Sequence, residues 1–93
     1  MNGIPHSSNA IEQLETLIEL AKDIGYEVRH EVLGGSGGGT CEFGNRKCLF
    51  VDLSLSVLDQ LDCVGRALAN DPQLALYIMT DQQETALRSR RAA

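Results

Sequence analysis

The chain has 93 residues, of which 43% are hydrophobic and 23% charged, so it is the size of one domain and too apolar to be disordered. Its formal net charge of −5 repels phosphate groups, which argues against nucleic-acid binding and against attraction to an acidic membrane surface. We therefore expect a flexible N-terminus at residues 1–9 and a single domain at residues 10–91, with neither a nucleic acid nor a membrane as partner.

The compartment follows from the N-terminus and the cysteines. Residues 1–9 have no basic region and no apolar run, so they lack the features of a secretory signal peptide. No stretch approaches the roughly 20 apolar residues that a transmembrane helix needs. Three cysteines are an odd number, which fits free thiols better than a disulfide framework. These features predict a cytoplasmic protein in a reducing compartment.

The first predicted element is an amphipathic helix. Apolar residues recur at three- and four-residue steps over residues 10–24. Asn9 and Glu12 have the spacing of a capping box, and Gly25 stands where a glycine often ends a helix.

A strand and a glycine-rich loop follow. From Tyr26 to Leu33 apolar and polar residues alternate, which predicts a half-buried strand. Five of the six residues from Gly34 to Gly39 are glycine, and no regular element survives that composition.

The next two strands are predicted to form a hairpin. Gly44 and Asn45 are a two-residue turn signal between the apolar segments 40–43 and 46–53. The second of these strands is apolar on both faces, which is typical of a strand that is central in its sheet or covered on both faces.

The turn also fixes the register of the hairpin. With Gly44 and Asn45 at its tip, Cys41 faces Cys48. Glu42 then faces Lys47, and this favourable pair of opposite charges supports the register.

The second helix is predicted to start after Ser56 as N-cap, and Pro72 ends it, because the residue before proline avoids the α region. Asp52 precedes this helix, and we expect its carboxylate to cap the helix N-terminus.

The last segment has two readings. Residues 74–79 begin a long helix, with Pro72 in its first turn, or they form a short extended stretch before a final helix capped by Thr80 or Asp81. We favour the second, because polar residues follow Met79. The predicted fold is α+β in the order α-β-β-β-α-(β)-α, a small sheet of about three strands with a central hairpin and helices on one face.

The glycine loop is a candidate anion or nucleotide site at Gly35, Ser36, Gly37 and Gly38. A phosphate-binding loop needs a lysine where Thr40 stands, and it needs a helix after the glycines, whereas a strand is predicted here. A mobile connection between strands is therefore the preferred interpretation.

The candidate metal ligands are three cysteines and a histidine: Cys41, Cys48, Cys63 and His30. Together they offer the donor set of a zinc site, so zinc is the cofactor to consider. The spacing lacks the C-x2-4-C pair that holds two thiolates close together, which favours free thiols in the core and no cofactor. Because no sequence feature pairs a cysteine with His30, we assign no catalytic residue.

The segments AKDIGYEV and CLFVDLSLSVLDQL, in the order helix, strand, hairpin and helix over about residues 10–70, resemble the N-terminal part of IrrE-type zinc metallopeptidases. In that family a similar run leads into a helix with the motif H-E-x-x-H. The equivalent helix here reads Asp59-Gln60-Leu61-Asp62-Cys63 and has no histidine. The resemblance therefore implies at most a non-catalytic relative, with no residue role carried over.

Taken together, these features predict a small non-enzymatic cytoplasmic domain of a bacterial kind that acts through protein–protein contacts or self-association. This prediction is based on apolar residues that need cover, namely Leu49, Val51 and Leu53 and those along residues 74–79. The alternatives are a metal or thiol site at the three cysteines and His30, and an anion or nucleotide site at the glycine loop.

Overall fold

The structure is a computed structural model that describes the backbone of residues 9–91 and the side chains of residues 9–88. The elements are α1 (Ala10–Asp23), β1 (Tyr26–Glu31), β2 (Gly39–Phe43), β3 (Arg46–Asp52), α2 (Val57–Ala69), a short 3-10 helix (Pro72–Leu76) and α3 (Asp81–Arg91). The α+β class and the order of helices and strands are confirmed. The predicted flexible N-terminus lies outside the described residues, apart from Asn9.

Side-chain caps begin the first two helices where the sequence predicts them. Asn9 Oδ1 accepts the backbone N–H of Glu12 at 2.8 Å, and Ser56 Oγ accepts that of Asp59 at 3.2 Å. Each bond satisfies a donor that has no partner inside its helix.

The optional strand predicted at residues 74–79 is wrong. Pro72 begins a 3-10 helix that runs to Leu76, and within the described residues this segment does not join the sheet. Asp71 Oδ1 accepts the N–H of Gln73 at 2.7 Å and so caps the short helix. Proline needs no such partner in the first turn, which explains why a helical turn forms here.

The hairpin has the predicted register. Strands β2 and β3 are antiparallel, with Cys41 opposite Cys48 and Glu42 opposite Lys47. Gly44 has a φ of +58°, which the first position of a tight hairpin turn requires. The strand order is β1-β3-β2, so β3 is central, as its apolar character on both faces predicts.

The parallel pairing of β1 with β3 was not predicted. It runs from Tyr26 opposite Lys47 to Glu31 opposite Asp52. Because β2 lies on the far side of β3, the chain between β1 and β2 must cross the end of β3. The glycine loop at residues 34–38 makes that crossing.

The core lies on one face of the sheet. Leu49 and Val51 of β3 are 1% and 2% exposed, and Tyr26 of β1 shares their face. They pack against buried side chains of all three α-helices and of the 3-10 helix: Leu14, Leu17, Leu20, Ala21, Leu61, Val64, Leu68, Leu74, Ala86 and Leu87. The helices therefore cover this face, and the expectation that Leu49 and Val51 need a partner's cover is wrong.

No helix among residues 9–91 is long and apolar enough to cross a membrane.

Candidate functional site

Asp52 organises the glycine loop. The residue is 1% exposed, and its carboxylate accepts four backbone N–H groups. Oδ1 accepts those of Leu33 at 3.0 Å and Ser54 at 2.9 Å. Oδ2 accepts those of Gly35 at 2.9 Å and Gly37 at 3.1 Å. The last residue of the central strand thus holds both ends of the crossing together.

These bonds keep Asp52 ionised. Burial raises its pKa, but the backbone N–H groups of Leu33, Gly37 and Ser54 outweigh burial and lower the pKa to about 2. The expectation that Asp52 caps the second helix is wrong, because Ser56 caps α2 and Asp52 binds the loop.

This geometry bears directly on the predicted anion site at Gly35, Ser36, Gly37 and Gly38. The N–H groups of Gly35 and Gly37 point at a carboxylate, where a phosphate would meet a negative charge. The loop also lies against the strand, since a Cβ on Gly38 would sit 2.2 Å from the carbonyl oxygen of Phe50. Gly38 therefore serves close packing, and this contact together with the bonds to Asp52 argues against both an anion site and a mobile connection.

The four candidate metal ligands are not brought together. Cys41 and Cys48 are opposite each other on one face of the sheet. His30 pairs with Val51 on the other face, and Cys63 lies on α2, which covers that face. In the part of the chain that the structure describes, no group of three or more His, Cys, Asp or Glu side chains is placed to hold a metal ion.

The thiols differ in exposure. Cys48 is buried, whereas Cys41 and Cys63 are half-buried, and all three are free. The interpretation as core thiols therefore fits Cys48 alone.

The sequence did not indicate a second polar cluster, which joins the start of β1 to the end of α2. The Tyr26 hydroxyl donates to Asp71 Oδ2, and Lys47 Nζ lies 3.0 Å from the same oxygen. Lys47 Nζ also lies 4.3 Å from the centre of the Tyr26 ring and donates to the carbonyl of Ile24 at 3.2 Å. The Asp71 side chain is only 5% exposed, so its charge is compensated inside the protein.

The charge states in this cluster follow from its hydrogen bonds. Burial raises the pKa of Asp71, but the bonds from Tyr26, Gln73 and Lys47 lower it further than burial raises it. Burial and the bond to Asp71 both raise the pKa of Tyr26. At neutral pH the phenol is a fixed donor to a carboxylate, an arrangement that links elements and does not supply a base.

An open cleft of about 500 Å³ borders this cluster, between the tip of the hairpin and the end of α2. Its lining is mostly polar and includes Thr40, Glu42, Asn45, Asn70 and Gln73. No cysteine, serine or histidine lines it. The cleft thus offers hydrogen-bonding groups, and the Lys47 amine that borders it is paired with Asp71.

The connector Pro72–Thr80 between α2 and α3 carries the most exposed large apolar side chains among those of residues 9–88. Leu76 is 82% and Ile78 is 91% exposed. Tyr77 between them has an extended backbone, with φ −98° and ψ 135°, and follows the last residue of the 3-10 helix. Tyr77 itself is half-buried, and its hydroxyl donates to Asp23 Oδ2 at 2.9 Å. That bond ties the connector to the end of α1.

The resemblance to IrrE-type peptidases stays a prediction from the sequence. No protein-family model matches this chain, and no solved structure matches it significantly.

Proposed function

We propose that this chain is a small non-enzymatic cytoplasmic domain that acts by self-association, with the connector Pro72–Thr80 as the contact between two copies. The observation that carries the proposal is the pair Leu76 and Ile78, which lie two positions apart in the connector and are 82% and 91% exposed. Covering large apolar side chains that are almost fully in water contributes free energy in proportion to the apolar area that leaves water.

The free energy available is substantial for so short a segment. Burying one Leu or Ile side chain contributes about 1.5–3 kcal/mol. In a symmetric dimer each copy buries both residues, so four side chains leave water together. Part of this gain offsets the loss of rotational and translational freedom on association.

The distribution of charge favours this segment, over the rest of the surface, as the place where two copies meet. The chain has a net charge of −5, so two copies repel each other over most of their surfaces. The nine residues from Pro72 to Thr80 contain no charged side chain. The connector itself therefore adds no charge repulsion between two copies that meet there.

The size of the patch indicates a weak interface. A stable protein interface buries about 800 Å² on each partner, and contacts smaller than this are typically transient. Six of the nine connector residues are exposed: Pro72, Gln73, Ala75, Leu76, Ile78 and Thr80. We expect a reversible dimer with a dissociation constant in the micromolar range or above.

Sedimentation velocity over a range of protein concentrations tests the proposal. The sedimentation coefficient of the wild type is expected to rise with concentration, and the double variant Leu76→Glu/Ile78→Glu is expected to remain monomeric. Val32→Glu is the matched control, because Val32 is 76% exposed and follows the far end of β1, away from the connector.

Two results would contradict self-association through the connector. One is a wild type that stays monomeric at every concentration. Leu76 and Ile78 would then be the contact for a different protein. The other is loss of association in Val32→Glu to the same degree as in the double variant. The buried positions are left unchanged in all these variants, so the fold is retained and circular dichroism checks it.

A further inference from the structure

Cys41 and Cys48 lie directly opposite each other on the two strands of the hairpin. The two-residue turn makes Phe43 and Arg46 a hydrogen-bonded pair, and hydrogen-bonded and non-hydrogen-bonded pairs alternate along an antiparallel ladder. Cys41 and Cys48, two positions further on, are therefore a hydrogen-bonded pair. The Cα atoms of such a pair lie about 5.5 Å apart, within the range of about 4.4–6.8 Å that disulfides span.

The side chains of Cys41 and Cys48 project from the same face of the sheet. Directly opposite residues have Cβ atoms roughly 4.5–5.5 Å apart, whereas a disulfide needs about 3.5–4.5 Å. A hydrogen-bonded pair lies at the wide end of the first range, so the two Cβ atoms must approach by about 1–2 Å for the bond to form. A bond under such strain is easier to reduce than a structural disulfide.

The two thiols differ in their exposure to solvent. Cys41 is half-buried and so is accessible to a small reagent, whereas Cys48 is 6% exposed. Cys48 needs no access to solvent for its part, because its target would be the neighbouring sulfur across the strand.

From these observations we propose that Cys41 and Cys48 form a reversible cross-strand disulfide by exchange with a low-molecular-weight disulfide. The Cys41 thiolate attacks one sulfur of the small disulfide, so that a mixed disulfide forms on Cys41 and one small thiolate leaves. Cys48 then loses its proton, and its sulfur attacks Cys41 Sγ and displaces the second small thiolate. The two cysteines lose two electrons, and the small disulfide is reduced to two thiols.

Cys63 stays outside this chemistry and serves as an internal reference. It lies on α2, which covers the opposite face of the sheet, and its Sγ is 3.8 Å from where a Cβ on Gly37 would sit. The sheet separates it from Cys41 and Cys48.

The bond fits a reducing compartment, where disulfides are transient and respond to oxidation. Closing it joins the two strands whose intervening residues, Glu42 and Lys47, line the cleft. The inference does not depend on self-association, because both sulfurs belong to one copy.

The test equilibrates the reduced protein in glutathione buffers of defined ratio, quenches with acid and then alkylates with N-ethylmaleimide. Mass spectrometry is expected to find three alkylated cysteines in the reducing buffer and one in the oxidising buffer, with a loss of two hydrogen atoms per chain and no glutathione attached. Peptide mapping is expected to join Cys41 to Cys48, and Cys63→Ala is expected to show the same bond with no alkylated residue.

The variants Cys41→Ser and Cys48→Ser are expected to lose the bond, and the remaining partner keeps its thiol or carries glutathione. Three alkylated cysteines in every buffer would overturn the proposal. So would a wild-type chain that stops at glutathione on Cys41, a bond to Cys63, or a disulfide between two chains on a non-reducing gel. The mapping uses the native wild-type protein, so the result does not depend on how well the variants fold.

Discussion

Oδ2 of Asp52 accepts the backbone N–H of Gly37 at 3.1 Å, although Gly37 lies 15 residues earlier in the chain. The loop that crosses the end of the sheet is thus held by the last residue of the strand it crosses. The same carboxylate also binds Leu33, Gly35 and Ser54, and this number of bonds decides what its substitution does.

Asp52→Asn is expected to lower the Tm by at least about 5 °C. An amide keeps one acceptor oxygen, and its NH2 group turns a donor toward backbone N–H groups that also donate. Thermal unfolding followed by circular dichroism measures the change. Glu15→Gln, at an exposed position of α1, removes the same charge and is expected to leave the Tm nearly unchanged.

The pH dependence of Asp52→Asn has a definite sign. The pKa of Asp52 is lowered to about 2, below its value of about 4 in an unfolded chain. Its contribution to stability is therefore complete above pH 4 and is lost as the pH falls toward 2. The difference in Tm between wild type and Asp52→Asn should shrink over that interval, and a difference independent of pH would contradict the role given to the carboxylate.

Gly38→Ala is expected to destabilise the protein more than Gly34→Ala. Both glycines have positive φ, +69° and +70°, so alanine at either costs about 1–2 kcal/mol in backbone conformation. At Gly38 the added Cβ would also lie 2.2 Å from the carbonyl oxygen of Phe50, whereas nothing lies within 4 Å of one at Gly34. Urea unfolding measures both, and equal losses would show that the loop does not pack against β3.

Tyr26→Phe is expected to lower the free energy of unfolding by about 1.5–3 kcal/mol at pH 7, the range for a hydrogen bond to a charged group. The phenol donates to Asp71, whose side chain is nearly buried. Tyr77→Phe is the matched control, because it removes the same hydroxyl from a bond that is exposed to solvent, and we expect a smaller loss.

The effect of Tyr26→Phe should also depend on pH. The pKa of Asp71 lies below its ordinary value, in part because Tyr26 donates to the charged form, although burial opposes this. The stability that this bond gives is present above the unfolded pKa of about 4 and disappears as Asp71 is protonated at lower pH. Chemical unfolding of both proteins between pH 7 and pH 3 is expected to show the two free energies converging.

Salt is expected to strengthen self-association. Two copies of a chain with net charge −5 repel each other, and the Debye length falls from about 30 Å at 0.01 M salt to about 8 Å at 0.15 M. The apolar contact through Leu76 and Ile78 depends less on this screening. Sedimentation at the two salt concentrations tests the prediction, and tighter association at low salt would indicate a contact between opposite charges.

The features that the sequence predicted correctly are local ones. The cap at Asn9, the cap at Ser56 and the turn at Gly44 each depend on residues within a few positions of one another. Once the turn is placed, every pair of the hairpin follows by counting, which is why Cys41 was placed opposite Cys48.

The features that the sequence missed join distant positions. Tyr26 and Asp71 are 45 residues apart, and the donors to Asp52 from the loop precede it by 15 to 19 residues. Alternation shows which face a side chain occupies, but it does not show which strand lies beside another after a crossover. Asp52 therefore looked like a cap for the nearest helix. Asp71, which precedes Pro72, indicated only the end of the second helix and gave no sign of its bond to Tyr26.

The strand order has a consequence for the growing chain. The middle strand, β3, is the last of the three to be synthesised, so β1 lacks its one hydrogen-bonded neighbour in the sheet until β3, which ends at residue 52, has emerged. That same residue anchors the loop between the first two strands. Translation must therefore reach the end of β3 before the β-ladder of β1 is complete, while the first helix, whose bonds are all local, is free to form beforehand.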